Sequence, residues 1–258
     1  MMEFGLQTFT VRELLTPANL GRSFAQIADR GIQNLELAVG YLPMPFTLET
    51  AKAVRAAADQ HGLQIRSCQI KYPTSSADVP LTIAYMQTLG AKILTNSVID
   101  LKLLALGRPG LLRYCEKLDQ LKEQLAPADI AEGNRIALVH HNHHFEFRRV
   151  GGQTALAFMA AHSSVGFALD TYWTQRAGGD IPVLLEALKG RVLLLHLRDL
   201  AGKADCECGR GTVPFGAVLQ AAEAAGVRYG MIEQKSRTPM ESVGVSAGYL
   251  RGLTQKMD

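Results

Sequence analysis

The sequence predicts a single (β/α)8 barrel, and three features predict it. Short apolar runs alternate with helix-like segments eight times along 258 residues. That alternation implies a parallel sheet wrapped by helices, and eight units in about 250 residues match the usual size of this barrel. Several runs are entered through a Gly-x-polar step (Gly31-Ile-Gln, Gly62-Leu-Gln, Gly90-Ala-Lys), the chemistry of a helix C-terminus feeding a strand. No GxGxxG follows the first strand, where a doubly wound dinucleotide-binding sheet would carry it.

Taken in order, Glu3–Thr8 reads as the first strand. Asn19–Arg30 sets Leu20, Phe24, Ile27 and Ala28 near helical spacing and is stopped by Gly31. Asn34–Ala38 is the second strand, and the Ala-rich segment Thr47–His61 is a helix closed by Gly62. Ile65–Gln69 is strand three; Val79–Leu89 is helical and Gly90 ends it. Lys92–Asn96 is strand four, followed by a long helical stretch, Pro109–Ile130, with a break at Pro127. Ile136–His141 is strand five and Thr154–Ala161 its helix; Val165–Asp170 is strand six and Ile181–Leu188 its helix, with Pro182 suited to the first turn. Val192–Leu197 is strand seven, Phe215–Ala225 its helix, Tyr229–Gln234 strand eight, and Ser242–Met257 closes the chain. The strand interiors are nearly all apolar, as parallel strands covered on both faces must be. With no linker and no shift of composition, residues 1–258 read as one domain.

The chain is 47% hydrophobic and 20% charged, ordinary for a soluble protein with a sizeable core. A net charge of +3 from 27 basic and 24 acidic residues carries no nucleic-acid footprint. No apolar run approaches membrane-spanning length and no basic n-region precedes Glu3, so neither a span nor a signal peptide is expected. The scattered cysteines Cys68, Cys115, Cys206 and Cys208 read as reduced, and the expected location is the cytoplasm. Cys206-x-Cys208 lacks the second pair that a structural zinc site needs and reads as part of a loop.

Barrels of this type place their chemistry at the C-terminal ends of the strands. Strand one ends with Gln7; strand two carries Glu36; strand three ends at Gln69 with Lys71 beyond; strand four ends with Asn96. Strand five runs into a burst of histidines, His140, His141, His143 and His144, which holds four of the chain's seven. Strand six ends with Asp170, followed by Trp173; strand seven holds His196, followed by Arg198; strand eight carries Glu233. His141, Asp170, His196 and Glu233 are separated by 29, 26 and 37 residues, about one βα unit each. Such spacing sets them on successive strands, able to converge at one mouth. Two imidazoles and two carboxylates suit a divalent ion, whether zinc, manganese, cobalt or iron. A polar group in an apolar run is costly unless it is paired or metal-bound; taken singly, each of the four also reads as an ordinary hydrogen-bonded strand end.

At these residues the chain resembles the sugar phosphate isomerase/epimerase superfamily, the xylose isomerase-like TIM barrels, over nearly its whole length. The matching pieces are Gly5–Arg12, His141–Phe147, Leu169–Trp173, His196–Asp199, Gly209-x-Gly211 before Phe215, and Ile232–Gln234. The resemblance implies Asp170, His196 and Glu233 as metal ligands. It also marks departures: His141 stands where many members carry glutamate, Trp173 where a histidine is frequent, and Lys235 where an aspartate follows Glu-Gln.

The function so implied is metal-dependent isomerisation or epimerisation of a sugar or keto-sugar. A divalent ion polarises the carbonyl, a side chain removes the neighbouring proton, and the enediolate charge is stabilised as it develops. Glu233 is then ligand and base, His143 or Glu146 the opposite acid/base, and Trp173 a wall for the sugar. Gln7, Gln69, Lys71 and Arg198 are candidate substrate contacts. The expected partner is a small carbohydrate, with neither nucleic acid nor membrane, and a homo-oligomer is compatible. Elimination or keto-glycoside cleavage on the same site, or a non-catalytic sugar-binding barrel, are the alternatives. An endonuclease IV-type metal cluster would need more ligands than the strand ends supply.

Overall fold

The computed structural model describes residues 2–126 and 135–255. The end of the expected helix 109–130, with Pro127, and the last residues of the closing helix lie outside the described residues. Eight strands form a closed barrel: β1 (Glu3–Gln7), β2 (Asn34–Leu37), β3 (Gln64–Ile70), β4 (Ile93–Asn96), β5 (Ala137–His141), β6 (Gly166–Asp170), β7 (Val192–Leu197) and β8 (Tyr229–Ile232). Neighbours in space are neighbours in sequence, every barrel pairing is parallel, and β8 closes on β1 from Glu3↔Tyr229 to Leu6↔Ile232. The expected single (β/α)8 domain is the fold observed.

The helices start and stop where the side chains dictate. Thr47, Asp78, Asp170 and Asp180 each accept a backbone N–H from the first turn of the helix that follows. Gly90 ends its helix in the left-handed conformation at φ 70°. Elements that sequence periodicity did not reach are short: a 3-10 turn at Thr8–Leu14, helices at Tyr72–Ala77, Leu101–Ala105 and Thr171–Arg176, and hairpins that pair Arg149–Val150 with Gln153–Thr154 and Asp199–Ala201 with Ala204–Cys206. No described helix is long and apolar enough to cross a membrane.

Most of the apolar core lies between the barrel and its helices. A second, smaller cluster of Ile93, Val139, Ala168, Leu194, Tyr229 and Met231 packs separately. Strand side chains alternate in direction. Val139, Ala168, Leu194 and Met231 each stand two residues before a candidate ligand, so they share its face, one layer deeper. The candidate ligands are therefore the upper layer of a filled barrel whose lower layer is apolar. Gly5 makes room in this packing: a Cβ there would sit 2.5 Å from Met231 Sδ and 2.6 Å from the Asn34 carbonyl.

Candidate active site

The upper layer brings together what the strand ends promised. One ligand atom from each of His141, Asp170 and His196 lies within 4.8 Å of the others, and all three residues are buried. Glu233 joins them, with Oε2 2.9 Å from His196 Nδ1. Asp170 faces two ways: Oδ1 accepts the Trp173 N–H at 2.8 Å, capping helix Thr171–Arg176, while Oδ2 faces His196 Nδ1 at 4.0 Å. Asn142 accepts the Asp170 N–H at 2.9 Å, which ties the end of β5 to the end of β6.

Sequence reasoning named Glu36 without giving it a task. Its Oε2 lies 2.5 Å from His196 Nε2, and its Oε1 accepts from Ser67 Oγ at 2.8 Å. Ser67 in turn lies 2.9 Å from Thr95 Oγ1. Glu36 thus anchors one imidazole nitrogen of His196 and leaves Nδ1 turned to the site. The only earlier signal was an acid inside an otherwise apolar strand.

Electrostatics follow from the same contacts. Burial would make His196 a weaker base, but Glu36 and Glu233 outweigh it and hold the imidazole up to about 10. Burial, then the nearby His196, pushes His141 well below the usual histidine range. Burial takes His143 down to about 4. Burial raises Asp170 against the pull of Arg198, whereas at Glu233 Arg198 and His196 overcome burial and hold the carboxyl down. Arg198, itself buried, donates to Glu233 Oε1 at 3.0 Å and reaches Asp170 Oδ2 at 3.5 Å; it also binds Asp205.

The residues present fit a divalent cation. His141 Nδ1 is a buried ring nitrogen with no hydrogen-bond partner among the described residues, and His196 Nδ1 and Glu233 Oε2 face only each other at 2.9 Å. Unpartnered buried acceptors are costly, and imidazole with carboxylate is a usual divalent donor set. Ligand atoms about 2.0–2.2 Å from one ion stand roughly 3–4.5 Å apart, close to the spread seen here. The Glu36–His196 contact is the carboxylate support that metal-binding histidines ordinarily have.

The mouth cavity, about 120 Å³, is lined by His141, His143, Trp173, Arg198, Glu233 and Gln69 among others. His143 packs on His141 and Trp173, with ring centres 4.6 and 5.2 Å away. Two expected substrate contacts and one expected acid/base group lie elsewhere. Gln7 is fully buried and donates to Gln69 Oε1 at 2.7 Å, standing behind the wall. Lys71 lines a neighbouring apolar cavity, its ammonium 4.8 Å from the Tyr41 ring. Glu146 is off the mouth with both oxygens engaged: Oε1 meets His140 Nε2 at 3.0 Å, and Oε2 accepts the His143 N–H at 2.8 Å. His140 itself sits behind β5 against Tyr114 and Asn96. In the Gly209-x-Gly211 turn the amides of Gly209 and Gly211 both donate to Asp199 Oδ2 at 2.9 Å, so they offer no open cradle to a phosphate.

A closed parallel barrel with imidazoles and carboxylates gathered at its C-terminal mouth defines a class, the (β/α)8 barrels that carry a polar site on a packed scaffold. Within that class, the model of the xylose isomerase-like TIM barrel family matches residues 24–252, and the chain belongs to this family. Solved structures agree on the fold. A sugar phosphate isomerase/epimerase from Parabacteroides distasonis aligns with TM-score 0.80 at 20% identity, over 97% of this chain and 93% of that one. A 3-keto-D-glucoside 4-epimerase from E. coli aligns with TM-score 0.71 at 15% identity, over 98% and 100%. A probable 3-DHS dehydratase involved in petrobactin synthesis, from Bacillus anthracis, aligns with TM-score 0.72 at 12% identity, over 97% and 99%. No curated protein matches the sequence significantly.

Proposed function

We propose that the protein is a metal-dependent isomerase or epimerase of a keto-sugar, working by proton transfer beside a carbonyl. The observation that carries this reading is the convergence of His141, Asp170, His196 and Glu233 at the mouth, with His141 Nδ1 unpartnered and His196 Nδ1 and Glu233 Oε2 turned only to each other. These four residues would hold the ion. When bound, it polarises the substrate carbonyl and favours charge on its oxygen.

The remaining work falls to the side chains. Glu233 is ionised at neutral pH, because Arg198 and His196 hold its carboxyl down. It is the base for a C–H next to the carbonyl. Arg198, held against Glu233 Oε1 and Asp170 Oδ2, keeps that carboxylate aimed and supplies positive charge near the developing oxyanion. His143 is neutral at pH 7 and its Nδ1 has no partner, so it serves as the opposite acid/base. With both oxygens of Glu146 already engaged, His143 is favoured over it for this role. Trp173 forms an apolar wall and, with its neighbours, keeps water from the reacting carbon. Returning the proton to the adjacent carbon isomerises the sugar; returning it to the opposite face epimerises it. A leaving group one carbon further on would turn the same first step into elimination, the chemistry named for one of the structural neighbours.

The test is deuterium exchange from solvent into a panel of keto-sugars, with protein loaded in turn with Mn²⁺, Zn²⁺, Co²⁺ and Fe²⁺. We expect exchange with at least one sugar, lost on chelation and lost in Glu233→Gln. Exchange that persists in Glu233→Gln rejects Glu233 as the base. No exchange with any metal, and no metal retained by the protein, rejects the enzyme.

A further inference from the structure

The mouth cavity, about 120 Å³, is small for a whole sugar derivative; most ligand pockets span about 300–1,000 Å³. Additional room lies to one side. Lys235, two residues after Glu233, lines the mouth and also lines a second cleft of about 440 Å³. The cleft runs between the turn after β1 and the segment after β8. It is lined by Thr10, Arg12, Lys235, Ser236 and Arg237, with Glu13 its one acid.

These cations are placed differently from scattered surface charge. Arg12 donates to the Phe9 carbonyl at 2.8 Å and stacks 4.1 Å over the Phe9 ring, while Phe9 lines the mouth. Its acid partner, Glu13, is 83% exposed at 3.3 Å, a pairing that water weakens. Lys235 and Arg237 are exposed, and neither makes an ion pair among the described residues. The walls are fixed to each other: the Gln234 N–H donates to Thr10 Oγ1 at 3.1 Å. Helix Pro239–Thr254 starts at the cleft, its cap residue Thr238 makes no side-chain bond, and its positive end adds to the field, partly offset by Glu241 in the first turn. The amides of the Gly209-x-Gly211 turn, the other place where backbone N–H groups could meet an anion, are already taken by Asp199.

We propose that this cleft is a subsite for an anionic group, phosphate or carboxylate, carried by the substrate away from its reacting carbonyl. The sugar end sits in the mouth, Lys235 stands at the junction, and Arg237 and Arg12 hold the anion. The inference rests on the mouth being a sugar site, but its test needs no turnover.

The measurement is calorimetric binding to the full-length protein of D-ribulose, D-ribulose 5-phosphate and D-ribonate, and of inorganic phosphate and acetate as bare anions. Variants are Lys235→Met and Arg237→Met, with Lys52→Met, an exposed helix position, as control. We expect the sugar phosphate or the sugar acid to bind at least tenfold more tightly than D-ribulose. Each cleft variant should remove most of that advantage and flatten the salt dependence, and Arg237→Met, outside the mouth, should leave D-ribulose unchanged; Lys52→Met should alter none of these. Preference for phosphate over acetate, or the reverse, names the anion. Equal affinity for charged and neutral sugars overturns the proposal, as does an advantage that survives both substitutions. If no sugar binds but a bare anion does, and Lys235→Met abolishes it, the subsite stands and the sugar reading fails. If nothing binds, the subsite is rejected.

Discussion

Replacing Glu36 with Gln removes the charge behind His196 while keeping the shape of the side chain. The amide oxygen still accepts from His196 Nε2, now 2.5 Å from a carboxylate oxygen, and the amide nitrogen turns to Ser67, whose hydroxyl passes its own proton to Thr95. No buried polar atom is orphaned, so the fold should lose no more than about 1 kcal/mol. Metal binding changes through two opposed effects. A supporting carboxylate ordinarily contributes about tenfold to a hundredfold in affinity, or roughly 1.4–2.8 kcal/mol. The same carboxylate holds His196 up to about 10, so at neutral pH the ion must first displace a proton. The sign follows. His196 is protonated in the metal-free protein below about 10, and the ion needs it neutral. Affinity in the parent protein should therefore rise about tenfold per pH unit from pH 7 to 9, one proton leaving per ion. In Glu36→Gln the imidazole falls towards its ordinary range and the profile flattens. At pH 9 the variant should bind at least about tenfold more weakly, and at pH 7 the gap should narrow. Competition against a chelator of known affinity, with Mn²⁺ at several pH values, reads both quantities. Parallel profiles with no deficit at pH 9, in a variant that keeps its circular dichroism, would refute the reasoning.

Gly5→Ala should lower Tm, because the new methyl meets the Asn34 carbonyl at 2.6 Å, and backbone cannot swing aside as Met231 Sδ can. A cost of about 1–3 kcal/mol, at roughly 2–4 °C each for a chain of this size, is read by differential scanning calorimetry. Metal at a hundred times its Kd should add about 2.7 kcal/mol of stability and raise Tm by several degrees, reversibly with chelator; an unchanged Tm argues against the site. Glu146→Ala leaves His140 Nε2 unpaired in a buried place and the His143 N–H unpaired in a half-buried one, so a loss of about 1–3 kcal/mol in urea unfolding is expected. An effect confined to turnover, with stability intact, would instead make Glu146 part of the chemistry.

The barrel was legible because its signals are repeated: each long helix carries several turns of periodicity, and most strands are apolar runs. The upper-layer residues were legible because a polar residue ending such a run is conspicuous. What stayed hidden depends on partners far away in sequence. Glu36 acquires its task from His196, 160 residues later. Glu146, three residues from His143, looked like a free carboxylate until the 3-10 turn His144–Phe147 closed its oxygens onto neighbours. Lys71 and Gln7 stand at strand ends as expected, yet side-chain direction set one against Tyr41 and the other behind Gln69. The helix Thr171–Arg176, at six residues, is too short for periodicity to register, and only the cap by Asp170 explains where it begins.

The two-storey interior has a consequence for engineering. The lower storey is apolar and self-sufficient, while the upper one confines Glu36, Asp170, His196, Arg198 and Glu233 at 6% exposure or less. Packing a greasy plug in place of such ions is often neutral or favourable, by about 1–4 kcal/mol. A Glu36→Met, His196→Leu double variant that melts no lower than its parent would be an inert copy of this scaffold. If that variant melts no lower, the upper storey adds nothing to the stability of the fold that carries it.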